Sequence, residues 1–255
     1  MDPVVALFVF VLGAVIGSFL NVCIHRLPNE ESIIFPSSHC PHCKTPIKFQ
    51  HNVPLLGWLM LKGRCAKCAE RISIRYPLVE LTGGLCALFS LYHFGLTVEM
   101  ALVATLGMAL ITLSMIDFDH YILPDVITLP GIVAGLIISV IPAVGEPFPH
   151  WRDAVIGVVA GGGGLWLFAW LFEKITGRVG MGFGDVKLVA MLGAWLGWEG
   201  LPFTIFGAAL IGSIVGIIWL TATKRGREHP IPFGPYLAVM GWIYLFYGCF
   251  GSVGK

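Results

Sequence analysis

The chain has 255 residues, of which 56% are hydrophobic and 12% charged, and its formal net charge is +1 at pH 7. A soluble globular domain carries about a quarter charged residues. The composition therefore excludes an ordinary cytosolic enzyme, a disordered chain and a nucleic-acid binder acting through a net basic surface; the few charges lie in clumps between long apolar runs, the pattern of a polytopic membrane protein.

A bilayer-spanning helix needs ~20 mostly apolar residues. Runs near 4–22, 78–96, 99–116, 126–143, 153–172, 186–199, 203–222 and 233–250 predict an all-α protein with about eight transmembrane helices. The first run has Asp2 ahead of it rather than Lys or Arg, and no small-x-small cleavage site follows, so a retained helix is expected rather than a signal peptide. Between 188 and 223 the apolar stretch is long for one span, and Trp198-Glu199-Gly200-Leu201-Pro202 is the expected turn. Lys and Arg collect in cytoplasmic loops. With the N-terminus outside and eight spans, fourteen of the sixteen basic residues fall inside, among them Arg178, Lys224, Arg225 and Arg227; Arg152 and Lys255 remain outside.

The chain accordingly divides into a first helix (1–22), a cytoplasmic Cys-rich segment (23–77) and a seven-helix membrane region (78–255). The middle segment holds Cys40-Pro41-His42-Cys43 and Cys65-Ala66-Lys67-Cys68. That spacing suits two knuckles gripping one tetrahedral Zn²⁺. Four thiolates complete such a shell and give a short segment a shape without a large core. Two disulfides are the alternative, and a reducing cytoplasm disfavours them. His39, His42 and His51 are left out of the site, and Cys23, Cys86 and Cys249 are read as small buried hydrophobes.

Acids at or within spans are costly and mark function by default. The third apolar run ends in Ile116-Asp117-Phe118-Asp119, followed by Leu123-Pro124-Asp125; the sixth begins after Gly182-Phe183-Gly184-Asp185-Val186-Lys187. Both sets are expected at the cytoplasmic ends of their helices. Two carboxylates brought together share one proton, the arrangement that activates water in aspartic proteolysis. Asp117 and Asp119 cannot both face one partner, being two apart, and Asp117 is the better inward candidate. Asp125 is expected to cap the fourth helix, Asp119 to face water or cap a turn, and the glycines around Asp185 to allow close backbone approach or a loop cap. Gly161 to Gly164, mid-span, predict a kink or a tight crossing, and Gly157-x-x-x-Gly161 and Gly212-x-x-x-Gly216 have the spacing of close helix contacts.

These motifs, in order, resemble those of the type IV prepilin peptidases of bacterial pilus and type II secretion systems. The likeness runs from Gly17-Ser18-Phe19-Leu20-Asn21-Val22 and Arg26-Leu27-Pro28, through the paired Cys motifs and Arg75-Tyr76-Pro77-Leu78-Val79-Glu80. It continues over both Asp motifs to Pro232-Phe233-Gly234-Pro235. The resemblance implies a membrane aspartic protease of the bacterial inner membrane that removes the leader of prepilin or pseudopilin precursors, after a Gly and usually before a Phe. Asp117 and Asp185 match the catalytic pair, with Gly182, Gly184, Asp125, Lys187 and Glu80 in support. Members with the Cys segment also methylate the new N-terminus with S-adenosylmethionine. Glu80 is a candidate for a structural or methyl-transfer role, with an ion pair to Arg75 as the plain alternative; Glu30, Glu31 and Glu70 are candidates for meeting a basic leader. The partners expected are these precursors and the lipid bilayer, and no nucleic acid. Two other classes compete: an ion-coupled transporter with Asp117 and Asp185 as proton relays, and a metal-stabilised assembly factor without catalysis.

Overall fold

The computed structural model describes residues 2–177, 180–223 and 232–252, the side chains of 220, 223 and 247–252 excepted. Arg178, Lys224, Arg225, Arg227 and Lys255, used above in sorting charge by side, lie outside the described residues, as does the side chain of Cys249. Among the described residues there is no β-strand. The helices are α1 (Pro3–Arg26), α2 (Leu56–Met60), α3 (Arg75–Phe94), α4 (Val98–His120), α5 (Asp125–Ser139), α6 (Trp151–Val158), α7 (Gly164–Thr176), α8 (Phe183–Thr223) and α9 (Gly234–Ser252).

By length and apolarity four stretches can cross a membrane: Pro3–Asn29, Val98–His120, Trp151–Thr176 and Phe183–Trp219. Asp125–Ser139 and Gly234–Phe246 are shorter apolar helices, so the count of about eight is not reached on this measure. Part of the difference lies in α8, where the runs 186–199 and 203–222 form one 41-residue element. Its break falls at Gly197 (φ 73°, ψ 174°), and Trp198 to Pro202, expected to make the turn, are helical. A side chain would resist that backbone geometry, which glycine adopts without a Cβ clash.

The chain forms two compact units, Met1–Thr112 and Leu113–Lys255, with the boundary inside α4. In the first, α1 and α3 cross on glycine. A Cβ on Gly13 would lie 2.7 Å from the Gly83 carbonyl oxygen, and one on Gly17 would lie 2.8 Å from Glu80 Cα. Small residues let helix backbones approach in this way, gaining dispersion contacts where lipid offers no hydrophobic drive. Asn21 adds a hydrogen bond, its Nδ2 donating to the Tyr76 carbonyl at 3.1 Å.

In the second unit α8 is the central element; Leu188, Val189, Leu192 and Ala194 are fully buried. Gly157 of α6 and Gly193 of α8 meet so closely that a Cβ on either would strike the other's carbonyl. The chain then takes π geometry over Val159–Gly163, while Gly161 and Gly162 lie against Val189 and Ala190. Of the two outcomes expected of the glycine run, a kink or a tight crossing, the tight crossing is found, with a π turn beside it. On another side of α8, Trp195 Nε1 donates to the Gly131 carbonyl of α5 at 2.8 Å.

Candidate catalytic site and metal centre

The last turn of α4 ends at Tyr121, which takes a left-handed conformation (φ 57°), its N–H donating to the Asp117 carbonyl at 2.9 Å. Leu123 and Pro124 follow, and Pro124, extended at ψ 133°, occupies the cap position before α5. This short reversal holds Asp117 and Leu123 close together. Asp117 is only 5% exposed, whereas Asp119, two residues on, is exposed.

The Asp117 carboxylate is held from a distant part of the chain: the Gly234 N–H donates to its Oδ2 at 2.9 Å. Gly234 opens α9 and is followed by Pro235, so its amide is one of the donors a helix leaves unpaired at its start. The partial positive charge of a helix N-terminus favours an acidic group there. A Cβ on Gly234 would lie 2.8 Å from Asp117 Oδ2, so this position has room for hydrogen alone.

Asp185 is the third residue of α8 and half-buried. Its N–H donates to the Gly182 carbonyl at 3.2 Å, and its Oδ2 lies back over Gly182, 3.6 Å from where a Cβ would stand. Leu123 joins the two acids. A Cβ on Gly184 would meet Leu123 Cβ at 3.1 Å, and one on Gly234 would meet Leu123 Cδ2 at 3.3 Å. Gly234, which holds Asp117, and Gly184, next to Asp185, thus both pack against one buried leucine.

Asp125 corrects an expectation. It is the first residue of α5, not its cap, and its carboxylate pairs with Lys187 Nζ. The cap falls to Pro124, which has no side chain for the task, while the ammonium two residues past Asp185 draws Asp125 across. Exposed ion pairs contribute about 0–1 kcal/mol, so this one registers α5 against α8 rather than stabilising the fold. Glu80 lies in the first unit, buried, where its Oε2 accepts the Leu55 N–H at 2.7 Å.

Also in the first unit, the two Cys pairs form matching knuckles. Cys40 N–H donates to the Thr45 carbonyl and Lys44 N–H to the Cys40 carbonyl; Cys65 N–H donates to the Glu70 carbonyl and Ala69 N–H to the Cys65 carbonyl. Lys44 and Ala69, each just after the second Cys of its pair, both take positive φ, 55° and 57°. Isolated bridges close each knuckle, His39 with Pro46 and Arg64 with Arg71. The four sulfurs converge to within 4.8 Å of one another, an arrangement that could hold a metal ion, and among the described residues no histidine joins them. Hydrogen bonding with Thr45 brings the Cys43 thiol down to about 6. The described cysteines are all free, with Cys23 and Cys86 buried as expected.

Reasoning from sequence missed three features. Gly234 was visible only as part of a Pro-flanked motif, although a glycine between prolines before an apolar run signals a helix start with a free amide. Gly13-x-x-x-Gly17 had the same small-residue spacing as the glycine pairs that were singled out. Arg26, buried at the end of α1, donates to the Ser32 and Pro36 carbonyls at 2.7 and 2.6 Å and closes the loop leading to Cys40. Arginine before Leu-Pro gave no hint of that.

Residues 11–94 match the family described as Bacterial Peptidase A24 N-terminal domain, and residues 104–217 the Type IV leader peptidase family. Among curated relatives, a prepilin leader peptidase/N-methyltransferase of Stutzerimonas stutzeri is 42% identical over 93% of this chain and 89% of its own length. Proteins of the same description from Pseudomonas aeruginosa and Aeromonas hydrophila are 41% and 40% identical, covering 93% and 94% of this chain and 88% and 90% of their own lengths. No solved structure matches the chain. A chain whose described residues are helical without strands, with several bilayer-length helices and matched over 93% of its length at this identity, is a multi-pass membrane protein, and it belongs to the type IV leader peptidase family.

Proposed function

We propose that the protein removes the leader of type IV prepilin or pseudopilin precursors at the cytoplasmic face of the bacterial inner membrane and then N-methylates the exposed residue. The observation that carries this reading is that Asp117 and Asp185 stand at two helix ends within one compact unit, with Gly234, the partner of Asp117, and Gly184, next to Asp185, both packed on Leu123. The relatives, described as peptidases and methyltransferases, leave the carrier and assembly-factor alternatives without support.

Asp117 and Asp185 are the catalytic pair. One carboxylate, ionised, takes a proton from water as its oxygen attacks the scissile carbonyl carbon. The other, protonated, gives its hydrogen bond to the carbonyl oxygen as charge develops there. Collapse of the tetrahedral species breaks the C–N bond, with the proton passing to the departing amine. Gly234 holds Asp117 in place, and Gly182 and Gly184 let the backbone at Asp185 and Leu123 come close. The substrate's apolar segment stays in the bilayer beside the helices, which limits the search for the reacting geometry. The N-terminus lies on the outer side, because the eight Lys and Arg between residues 26 and 75 follow α1 directly and such residues collect on the inside.

Residues 23–77 form the metal-binding domain and 78–255 the hydrolytic helices. The metal is zinc, held by Cys40, Cys43, Cys65 and Cys68. Tetrahedral Zn–S bonds of about 2.3 Å place sulfurs about 3.8 Å apart. The Cys40–Cys68 and Cys43–Cys65 sulfurs stand 3.8 and 3.9 Å apart. S-adenosylmethionine is the methyl donor of the second step.

The test is incubation of the full chain in nanodiscs with a peptide carrying a basic leader, a Gly–Phe junction and an apolar segment, with methyl-labelled S-adenosylmethionine present. Cleavage after the Gly is expected, with label on the mature product alone. An intact peptide would refute the peptidase, and label on uncleaved peptide would refute the order of the two steps. Gly234→Ala should lower kcat for cleavage about a hundredfold, the scale for displacing a reacting group by ~1 Å, because its methyl group would push on Asp117 Oδ2. Unchanged kcat would mean that Gly234 has no part in holding the acid.

A further inference from the structure

The Cys-bearing segment carries an apolar surface that neither the metal nor the aspartates account for. Leu56, Leu59 and Met60 stand at i, i+3 and i+4 of α2 and share one face, each more than half exposed. Phe49, on the turn that packs against α2 through His51 and Gly57, is 90% exposed. Trp58 of the same helix is turned the other way, with its ring against Gly63 and its Nε1 donating to the Ile72 carbonyl at 3.2 Å. The largest ring of α2 therefore serves the domain, and the aliphatic face is left outward.

The depth of α2 says what meets that face. Its start is pinned by Leu55, which takes φ 62°, ψ −52° in a tight turn closed by the Leu56 N–H on the Pro54 carbonyl. That is a conformation non-glycine residues rarely occupy. The Leu55 N–H donates to the buried Glu80 carboxylate. Glu80 in turn lies against Gly17, nine residues before the end of α1. At 1.5 Å per residue that is about 13 Å back along the helix, inside the stretch Pro3–Asn29 that is long and apolar enough to cross a membrane. So α2 begins at a level where α1 is still apolar. Around it the chain is basic: residues 44–75 hold seven Lys and Arg and a single acid, Glu70.

We propose that α2 and the Phe49 turn form an in-plane anchor, with Leu56, Leu59, Met60 and Phe49 buried in the boundary of the bilayer and Lys48 and Lys62 against anionic phospholipid headgroups. An apolar helix face rimmed by lysines binds such a surface by area and by charge together. The Glu80–Leu55 bond sets the depth of the anchor. A soluble partner would have to reach below the headgroups to cover the same face. The inference stands apart from the peptidase reading, since it uses neither aspartate nor any substrate.

A photoactivatable diazirine side chain in place of Leu59 or Met60, in the full chain reconstituted in nanodiscs of phosphatidylcholine and phosphatidylglycerol, tests this. Retained metal content verifies that the domain is folded. After illumination, acyl-chain adducts are expected at both positions and none at Ala66, an exposed residue of the second knuckle. The yield should fall several-fold when phosphatidylglycerol is omitted, and likewise in Lys48→Glu with Lys62→Glu. Absence of lipid adducts, or adducts only to an added prepilin peptide or to a second copy of the chain, would overturn the anchor. Equal yields with and without phosphatidylglycerol would overturn its anionic partner.

Discussion

Asp117→Asn and Asp185→Asn are each expected to reduce leader cleavage at least about a thousandfold, within the range for removing a general acid or base. Asn keeps the shape and, at Asp117, an oxygen able to accept the Gly234 N–H, so the fold should survive; what it loses is the capacity to take or hold the shared proton. Because the two groups act as one unit, the double variant should be hardly slower than either single one. The thermal unfolding midpoint in detergent should be close to that of the unaltered chain, which separates lost chemistry from lost structure. Full cleavage by either Asn variant would remove that residue from the pair. Asp119→Asn is the matched control, altering an exposed acid two residues away.

Loss of the metal should have the second large effect, this time on structure. Structural zinc in small domains contributes apparent binding energies of about 10–16 kcal/mol at neutral pH, more than the knuckle hydrogen bonds and the Trp58 packing can replace. Cys68→Ser should take the zinc content from about one per chain, the closed four-ligand stoichiometry, to near none. The domain should open to proteolysis at its many Lys and Arg bonds, while the helices of the second unit stay resistant. Retained stoichiometric metal in that variant, or none in the freshly reduced unaltered chain, would defeat the four-thiolate assignment.

What was legible in the sequence was local. The Cys pairs are read from spacing, and the knuckle turns follow within six residues of each. That only one of Asp117 and Asp119 faces inward follows from helical geometry, the place of Asp117 beside the apolar run picks it, and burial divides them in that way. What escaped was paired across long separations. Gly234 meets Asp117 from 117 residues away, and Lys187 meets Asp125 from 62; no periodicity links such positions. Asp125 was misassigned because a helix start beside proline is ordinarily a capping site, and an ammonium supplied by another helix outbids that local preference. The helix count suffered for a different reason. Hydropathy registers where apolar residues are, and at Gly197 one residue's backbone, not a polar loop, interrupts the run.

The π turn at Val159–Gly163 has a consequence for the helix after it. A π turn admits one residue more than the α pattern, and at 3.6 residues per turn that advances the angular phase by ~100°. Up to Gly162 the glycines point at α8; Gly163 and Gly164 have nothing within reach of a Cβ, and α7 then has no buried residue among its thirteen. Trp166, Phe168, Trp170 and Phe172 all face outward instead. Rings two residues apart cannot share a face, so past the irregularity α7 is exposed on every side: it leaves the packing against α8 and offers aromatic contact all round.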